Sequence, residues 1–232
     1  MTTASRTALI TGAASGIGAA VARALSQAGW TVAGLDLHPA ADVDLALTAD
    51  VSDAASTAQA VYQAHKDLGP IHAAVTAAGH YESTSLADIT PQAWRRMLHV
   101  HLGGLRNTAH AVLPGMLEQS SGSIVAITSE LAIAGGDREA HYAAAKGAII
   151  GLVRTLAAEY APQGIRVNAV APGPTDTPLL AANSPWRDPQ YLQTVPNRRL
   201  ARPDEIAAVV RLVLDLDFCT GEVISPNCGT VI

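Results

Sequence analysis

The stretch HYAAAKGAI, His141 to Ile149, sets a phenol and an ammonium four residues apart, Tyr142 and Lys146, among alanines and small apolar residues. Positions i and i+4 share one face of an α-helix, with Cβ atoms about 5–6 Å apart. A phenol that titrates near pH 10 is almost wholly protonated in neutral solution, and a cation beside it favours the phenolate. Such a pair could take the proton from an alcohol. A pair on a solvated helix surface has the same spacing, so these two residues alone do not choose between the readings. Ser129 ends the apolar run SIVAIT. Its hydroxyl is placed either to bond a substrate oxygen as charge develops there or simply to cap the strand end.

A second constellation lies near the start of the chain, where TGAASGIG runs from Thr11 to Gly18 directly after an apolar run. Glycines at 12, 16 and 18 permit a tight turn, a close backbone approach and close packing of the following helix, whose free N–H groups favour a pyrophosphate. The spacing is TGxxxGxG rather than GxGxxG. Gly12, Ser15, Gly16, Ile17 and Gly18 are therefore the candidate phosphate loop. Asp36 follows Gly18 by eighteen residues at the end of GLDL. A carboxylate there can accept from the adenosine ribose hydroxyls and repel a 2′-phosphate. Neither Ser15 nor Leu37 offers the cation that a 2′-phosphate would want, so NAD is expected over NADP. Asp50 either reaches the adenine amino group, with Val51 offering its backbone, or caps a helix near Ser52 and Asp53.

These residues need elements to position them. Short apolar runs at 7–11, 31–36, 45–50, 73–77, 123–128, 165–171 and 222–225 alternate with helical patterns at 16–28, 53–68, 91–118, 141–161 and 203–214. Alternation of this kind predicts βαβ units and a parallel sheet covered on both faces. Only LHPAADVDLALTA separates Asp36 from Asp50, too little for a full crossover helix plus a strand. That helix should be missing or a single turn. The segment before the last strand is abbreviated as well.

The chain has 232 residues, with no linker or charge block to divide it, and reads as one domain over 1–232. A net charge of −5 with a pI near 5.9 and no Lys/Arg cluster argues against nucleic acid as a partner. No long apolar segment opens the sequence or reaches membrane-spanning length. Cys219 and Cys228 lack metal-ligand spacing and read as reduced thiols, consistent with a cytoplasmic protein. His99 and His101 stand two apart and point to different helix faces, so no metal is expected.

Taken together, TGAASGIG, Asp36, TAAG (Thr76 to Gly79), GSIVAITS ending at Ser129, YAAAK and RVNAVAPGPTDT (Arg166 to Thr177) resemble the short-chain dehydrogenase/reductase family over nearly the whole chain. The resemblance implies an α/β, Rossmann-like doubly wound parallel sheet of about seven strands, commonly assembled as a homo-oligomer, tetramer or dimer. It implies hydride transfer between NAD and a secondary alcohol or its ketone, with Ser129, Tyr142 and Lys146 catalytic. By the same likeness Lys146 also holds the nicotinamide ribose, and Ala78 and Gly79 meet the cofactor. Pro172, Gly173, Thr175 and Thr177 belong to the loop flanking the nicotinamide. Asn168 is structural.

Departures from the family pattern are informative. Thr76 and Ala77 replace two asparagines of the family, so whatever those amides stabilise must be supplied otherwise. His101 stands where the family has an asparagine that supports a water linking the lysine to solvent. Either its main-chain carbonyl serves that path, the route expected here, or the imidazole itself relays protons. Substrate choice is expected to depend on the loop after Thr177 and on His80, Tyr81, Glu130, Arg138 and His141. Trp186 and Tyr191 either line a pocket or pack a lid. The substrate is expected to be a small polar or cyclic alcohol, with dihydrodiol dehydrogenase and 3-oxoacyl reductase as alternatives. A non-catalytic NAD-binding regulator is the alternative of another class.

Overall fold

A computed structural model describes residues 6–231; residues 1–5, read above as no export leader, and residue 232 lie outside it. Seven strands form one sheet in the order β3-β2-β1-β4-β5-β6-β7. They are β1 (Thr7–Thr11), β2 (Thr31–Asp36), β3 (Leu45–Thr48), β4 (Ile71–Thr76), β5 (Gly122–Ile127), β6 (Ile165–Val170) and β7 (Val223–Ile224), and every pairing is parallel. The expected seven strands are present, with β3 and β7 shorter than expected and β4 beginning two residues earlier.

Parallel sheets are buried on both faces, which is why β1 and β5 are buried at every residue. On one face, α1 (Gly16–Gln27) and α8 (Pro203–Asp215) pack Val21, Leu25, Ile206, Val210 and Val213 against Ile10, Val32 and Val75. On the other, α2 (Ala54–Leu68), α4 (Gly104–Glu118) and α6 (Ala140–Tyr160) pack Val61, Val112, Met116, Ile149 and Val153 against Leu9, Ile124 and Val167. Each such side chain contributes about 1.5–3 kcal/mol when fully buried. Strand order reverses between β1 and β4, and the crevice opens at the carboxyl ends of the strands there.

Two connections depart from simple βαβ winding. Residues 37–44 pass from β2 to β3 through bends alone, so the helix expected to be missing or a single turn is missing. The helical stretch expected over 91–118 is divided into α3 (Pro91–Leu98), a π turn (His99–Gly103) and α4, which puts an irregularity at His101, where the family resemblance implies a kink. Thr90 caps its start, accepting from Ala93 N–H at 3.1 Å, and Pro91 sits where no N–H is needed. Two short helices, α5 (Leu131–Ala134) and α7 (Pro189–Thr194), were not anticipated from the sequence.

Candidate active site

The loop after β1 is shaped by close approach. Gly12 has φ +70°, and a Cβ there would lie 2.7 Å from Ala78 N. A Cβ on Gly18 would lie 2.1 Å from Gly12 O, so the start of α1 sits against the end of β1 only because both residues lack side chains. Thr11 supplies what the missing asparagines do not: its hydroxyl accepts from the N–H groups of Ala77 and Ala78 at 3.1 and 3.2 Å. One side-chain oxygen thus ties the carboxyl ends of β1 and β4 together.

Asp36 ends β2 with both oxygens engaged, Oδ2 accepting from Ala14 N–H and Oδ1 from His38 N–H, each at 3.1 Å. These bonds hold the carboxylate at the crevice. Asp50 Oδ1 accepts from the N–H and hydroxyl of Ser52 at 2.8 and 2.7 Å, while the cap of α2 is Asp53, which accepts from Ala55 and Ser56. The capping role left open for Asp50 therefore belongs to Asp53. Val51 O already accepts the Asn107 amide at 2.9 Å, so its N–H is the backbone group it can present.

Ser129 follows β5 and is buried, its Oγ accepting from Leu131 N–H at 3.2 Å. Tyr142 and Lys146 descend from the first turns of α6, both buried, with Nζ 5.6 Å from the phenol ring centre. Nζ donates to Ile127 O at 2.9 Å, and the Thr128 hydroxyl donates to Lys146 O at 2.7 Å. The lysine head is thereby pinned to the end of β5.

A lowered phenol pKa is expected of Lys146 acting together with the positive ring of an oxidised cofactor. In the protein by itself, burial raises the Tyr142 phenol above its ordinary value, opposed by its hydrogen bond with Ser129, and lowers Lys146 to about 7. The reason is desolvation: both groups favour their neutral forms when removed from water.

All eighteen catalytic and cofactor-binding candidates from the sequence, from Gly12 to Thr177, line one cleft of about 570 Å³. Pro172, Gly173, Thr175 and Thr177 form its wall after β6, where Gly173 N–H donates to Pro226 O at 3.2 Å. A family model described as enoyl-(acyl carrier protein) reductase matches residues 12–230. The acetoacetyl-CoA reductase of Synechocystis sp. is 36% identical over 225 residues, covering 94% of this chain and 93% of that protein. The chain belongs to the short-chain dehydrogenase/reductase family. The cis-4-hydroxycyclohexanecarboxylate dehydrogenase of Sinomonas cyclohexanicum is likewise 36% identical, over 241 residues, covering 97% of this chain and 96% of the other. The ligand-free aldohexose dehydrogenase of Thermoplasma acidophilum superposes with a TM-score of 0.90 at 28% identity, covering 97% and 93% of the two chains.

In this short-chain dehydrogenase/reductase, His101 fills the π turn with a packed ring. It is 4% exposed and meets Tyr142 edge-on, with ring centres 5.5 Å apart. Its Nε2 lies 2.8 Å from His80 O and 3.3 Å from His80 N; the shorter contact makes Nε2–H the donor. Burial, followed by the Lys146 charge, lowers its pKa well below the usual imidazole value. A Cβ on Gly79 would lie 2.4 Å from this ring, so the imidazole needs glycine at 79.

His80, Tyr81, Glu130, Leu131, Leu179 and Trp186 also line the cleft. Trp186 Nε1–H donates to the Tyr81 hydroxyl at 2.7 Å, which donates to Glu139 Oε1 at 2.5 Å. Tyr81 also meets Tyr142 edge-on at 5.2 Å. Arg138 and His141, expected near the substrate, do not line the cleft. Arg138 faces solvent, and His141 is buried on α6 with neither ring nitrogen hydrogen-bonded among the described residues. Tyr191 packs edge-on against Trp186 at 4.9 Å, behind the cleft wall. Glu139 was not anticipated: in GGDREAH it looks like a solvated loop acid, and its 1% exposure is set by packing distant in sequence.

Proposed function

We propose that this reductase is an NAD-dependent dehydrogenase acting on a small polar or cyclic secondary alcohol or its ketone. The observation that carries this reading is the convergence of Ser129, Tyr142 and Lys146 at one end of a cleft whose other end is held by Asp36. The cradle fits a dinucleotide: Gly12 and Gly18 leave no room for side chains, and the only cations lining the cleft among the described residues are Arg96 and Lys146. Neither follows Asp36, so a 2′-phosphate there would meet a carboxylate without a compensating charge.

NAD, when bound, supplies the hydride acceptor. The Tyr142 phenolate takes the hydroxyl proton of the alcohol, and in the reverse direction the phenol returns it to the oxygen. Ser129 donates to the substrate oxygen, orienting it. The Lys146 ammonium favours the phenolate, and its bond to Ile127 O fixes where that charge lies. The cytoplasmic, one-domain, homo-oligomeric protein expected from the sequence belongs to the same proposal.

The test is a panel of secondary alcohols and ketones with NAD and NADP. Tyr142→Phe is expected to keep NAD affinity within a few-fold and to lose turnover by at least the hundredfold to ten-thousandfold typical of a general acid–base group. Retained turnover in that variant would overturn the assignment of the base.

A further inference from the structure

Glu130 is a carboxyl that the chemistry above does not use. It follows Ser129 directly, is 4% exposed and lines the cleft. Its main-chain N–H donates to Pro172 O at 3.0 Å, which pins it against the loop after β6. The side chain is poorly satisfied. The Thr230 hydroxyl donates to Oε2. That hydroxyl also lies 2.9 Å from Asn227 O, and with a single hydrogen it serves only one acceptor at a time. No salt bridge reaches Glu130 among the described residues.

A carboxylate offers about four lone-pair sites; Thr230 meets one of them, and Oε1 is not among the enclosed polar atoms without a partner, so it stays accessible to a donor. Burial pushes Glu130 up to about 7. After burial itself, the Glu139 and Glu130 charges hold the Tyr142 phenol up. With one shared donor only, this acid works against the base in the same cleft. A donor arriving with the substrate would relieve both conditions.

We propose, building on the dehydrogenase reading above, that Glu130 receives a second hydroxyl of the substrate, so that the enzyme acts on diols or polyols. The reacting carbinol lies against Ser129 and Tyr142, and a neighbouring hydroxyl donates to Glu130. A hydroxyl suits this place better than an ammonium, because a cation would be desolvated close to Lys146. Leu131, Leu179, Tyr81 and Trp186 supply an apolar wall for the carbon skeleton.

The experiment compares partners that differ by one hydroxyl: cis-1,2-cyclohexanediol with cyclohexanol, and 2,3-butanediol with 2-butanol. In the unmodified enzyme with NAD, kcat/KM for the diol is expected to exceed that for the mono-alcohol by about tenfold to hundredfold, the worth of a hydrogen bond to a charged group, with the difference in KM. Glu130→Ala should bring the ratio toward one. Glu130→Gln should keep part of it, since the amide oxygen still accepts. A ratio that is the same in the unmodified and alanine proteins overturns the proposal. A binding arm stands apart from turnover: the same compounds are titrated calorimetrically into NAD-saturated Tyr142→Phe protein, with and without Glu130→Ala. The expected result is a diol Kd at least tenfold weaker in the double variant; an unchanged Kd, or no diol binding, overturns the proposal. Mono-alcohols turned over as well as diols would leave the dehydrogenase reading standing and remove this one. Glu130-dependent diol binding without turnover of any alcohol would do the reverse.

Discussion

Glu130 and Lys146 sit at the same end of the cleft with their protonation equilibria moved in opposite directions by one cause, removal from water. For Glu130 the folded value, about 7, lies above the reference 4.5. The unfolded chain therefore binds fewer protons between those values, and stability falls as pH rises through that window. The cost is absent below about 4.5, complete above about 7, and at most about 3–4 kcal/mol at 1.36 kcal/mol per unit. Glu130→Gln should consequently match the unmodified protein in urea unfolding near pH 4.5 and exceed it near pH 8. An equal difference at both pH values would show that the carboxyl is ionised at no cost in the fold. At this scale the sequence is legible in types and spacing but not in burial. Tyr142 and Lys146 announce themselves as an i, i+4 pair, whereas their shifts come from packing that the spacing does not contain. Glu130 has a partner a hundred residues away, Thr230, and no local pattern points to it.

The π turn at His99–Gly103 and the end of β4 are two elements locked by one ring. Gly79→Ala would place a methyl on the imidazole, and this should destabilise the protein by about 1–3 kcal/mol, as overpacking does. In a His101→Ala background the obstacle is gone. The double-mutant cycle should therefore return a coupling above about 1 kcal/mol, measured by chemical denaturation; additivity would mean that the ring moves aside freely. Because burial keeps His101 neutral, His101→Ala should stay within tenfold in kcat and show no loss of an acidic limb between pH 5.5 and 10. A hundredfold loss together with that limb would assign the proton path to the imidazole instead. The family resemblance implies a kink at His101, but the apolar pattern alone does not show a π turn, since an added residue in a helix changes hydrogen-bond partners while leaving a short apolar pattern almost intact. The missing helix between β2 and β3 was legible because it is a matter of chain length. Residues 37–44 are too few to wind a crossover helix, whatever their types.

Across the whole molecule, the cleft collects residues from Gly12 to Trp186 by placing the ends of β1, β2, β4, β5 and β6 side by side. That arrangement was legible as soon as strands and helices were seen to alternate, since a parallel sheet reversing its order has one crevice where such ends meet. The loop after Thr177, His80, Tyr81 and Glu130 were legible as residues beside the cleft, but how they pack was not: the loop has no periodicity, and its contact with Tyr81 spans 105 residues. Cofactor choice is a property of the cleft as a whole, because it depends on Asp36 and on the lack of nearby cations together. Asp36→Ala is expected to reduce the NAD-to-NADP ratio of kcat/KM at least tenfold, chiefly by improving NADP. A ratio near one in the unmodified enzyme would contradict this. The bond from Trp186 to Tyr81 carries a consequence of a different kind. The chain has three tryptophans, and this one alone lines the cleft, its indole N–H held by the phenol that touches Tyr142. Indole emission depends on its hydrogen bonding and overlaps the absorption of reduced nicotinamide. The molecule therefore carries its own optical reporter: without any label, the emission of Trp186 should be quenched when a reduced nicotinamide occupies the cleft.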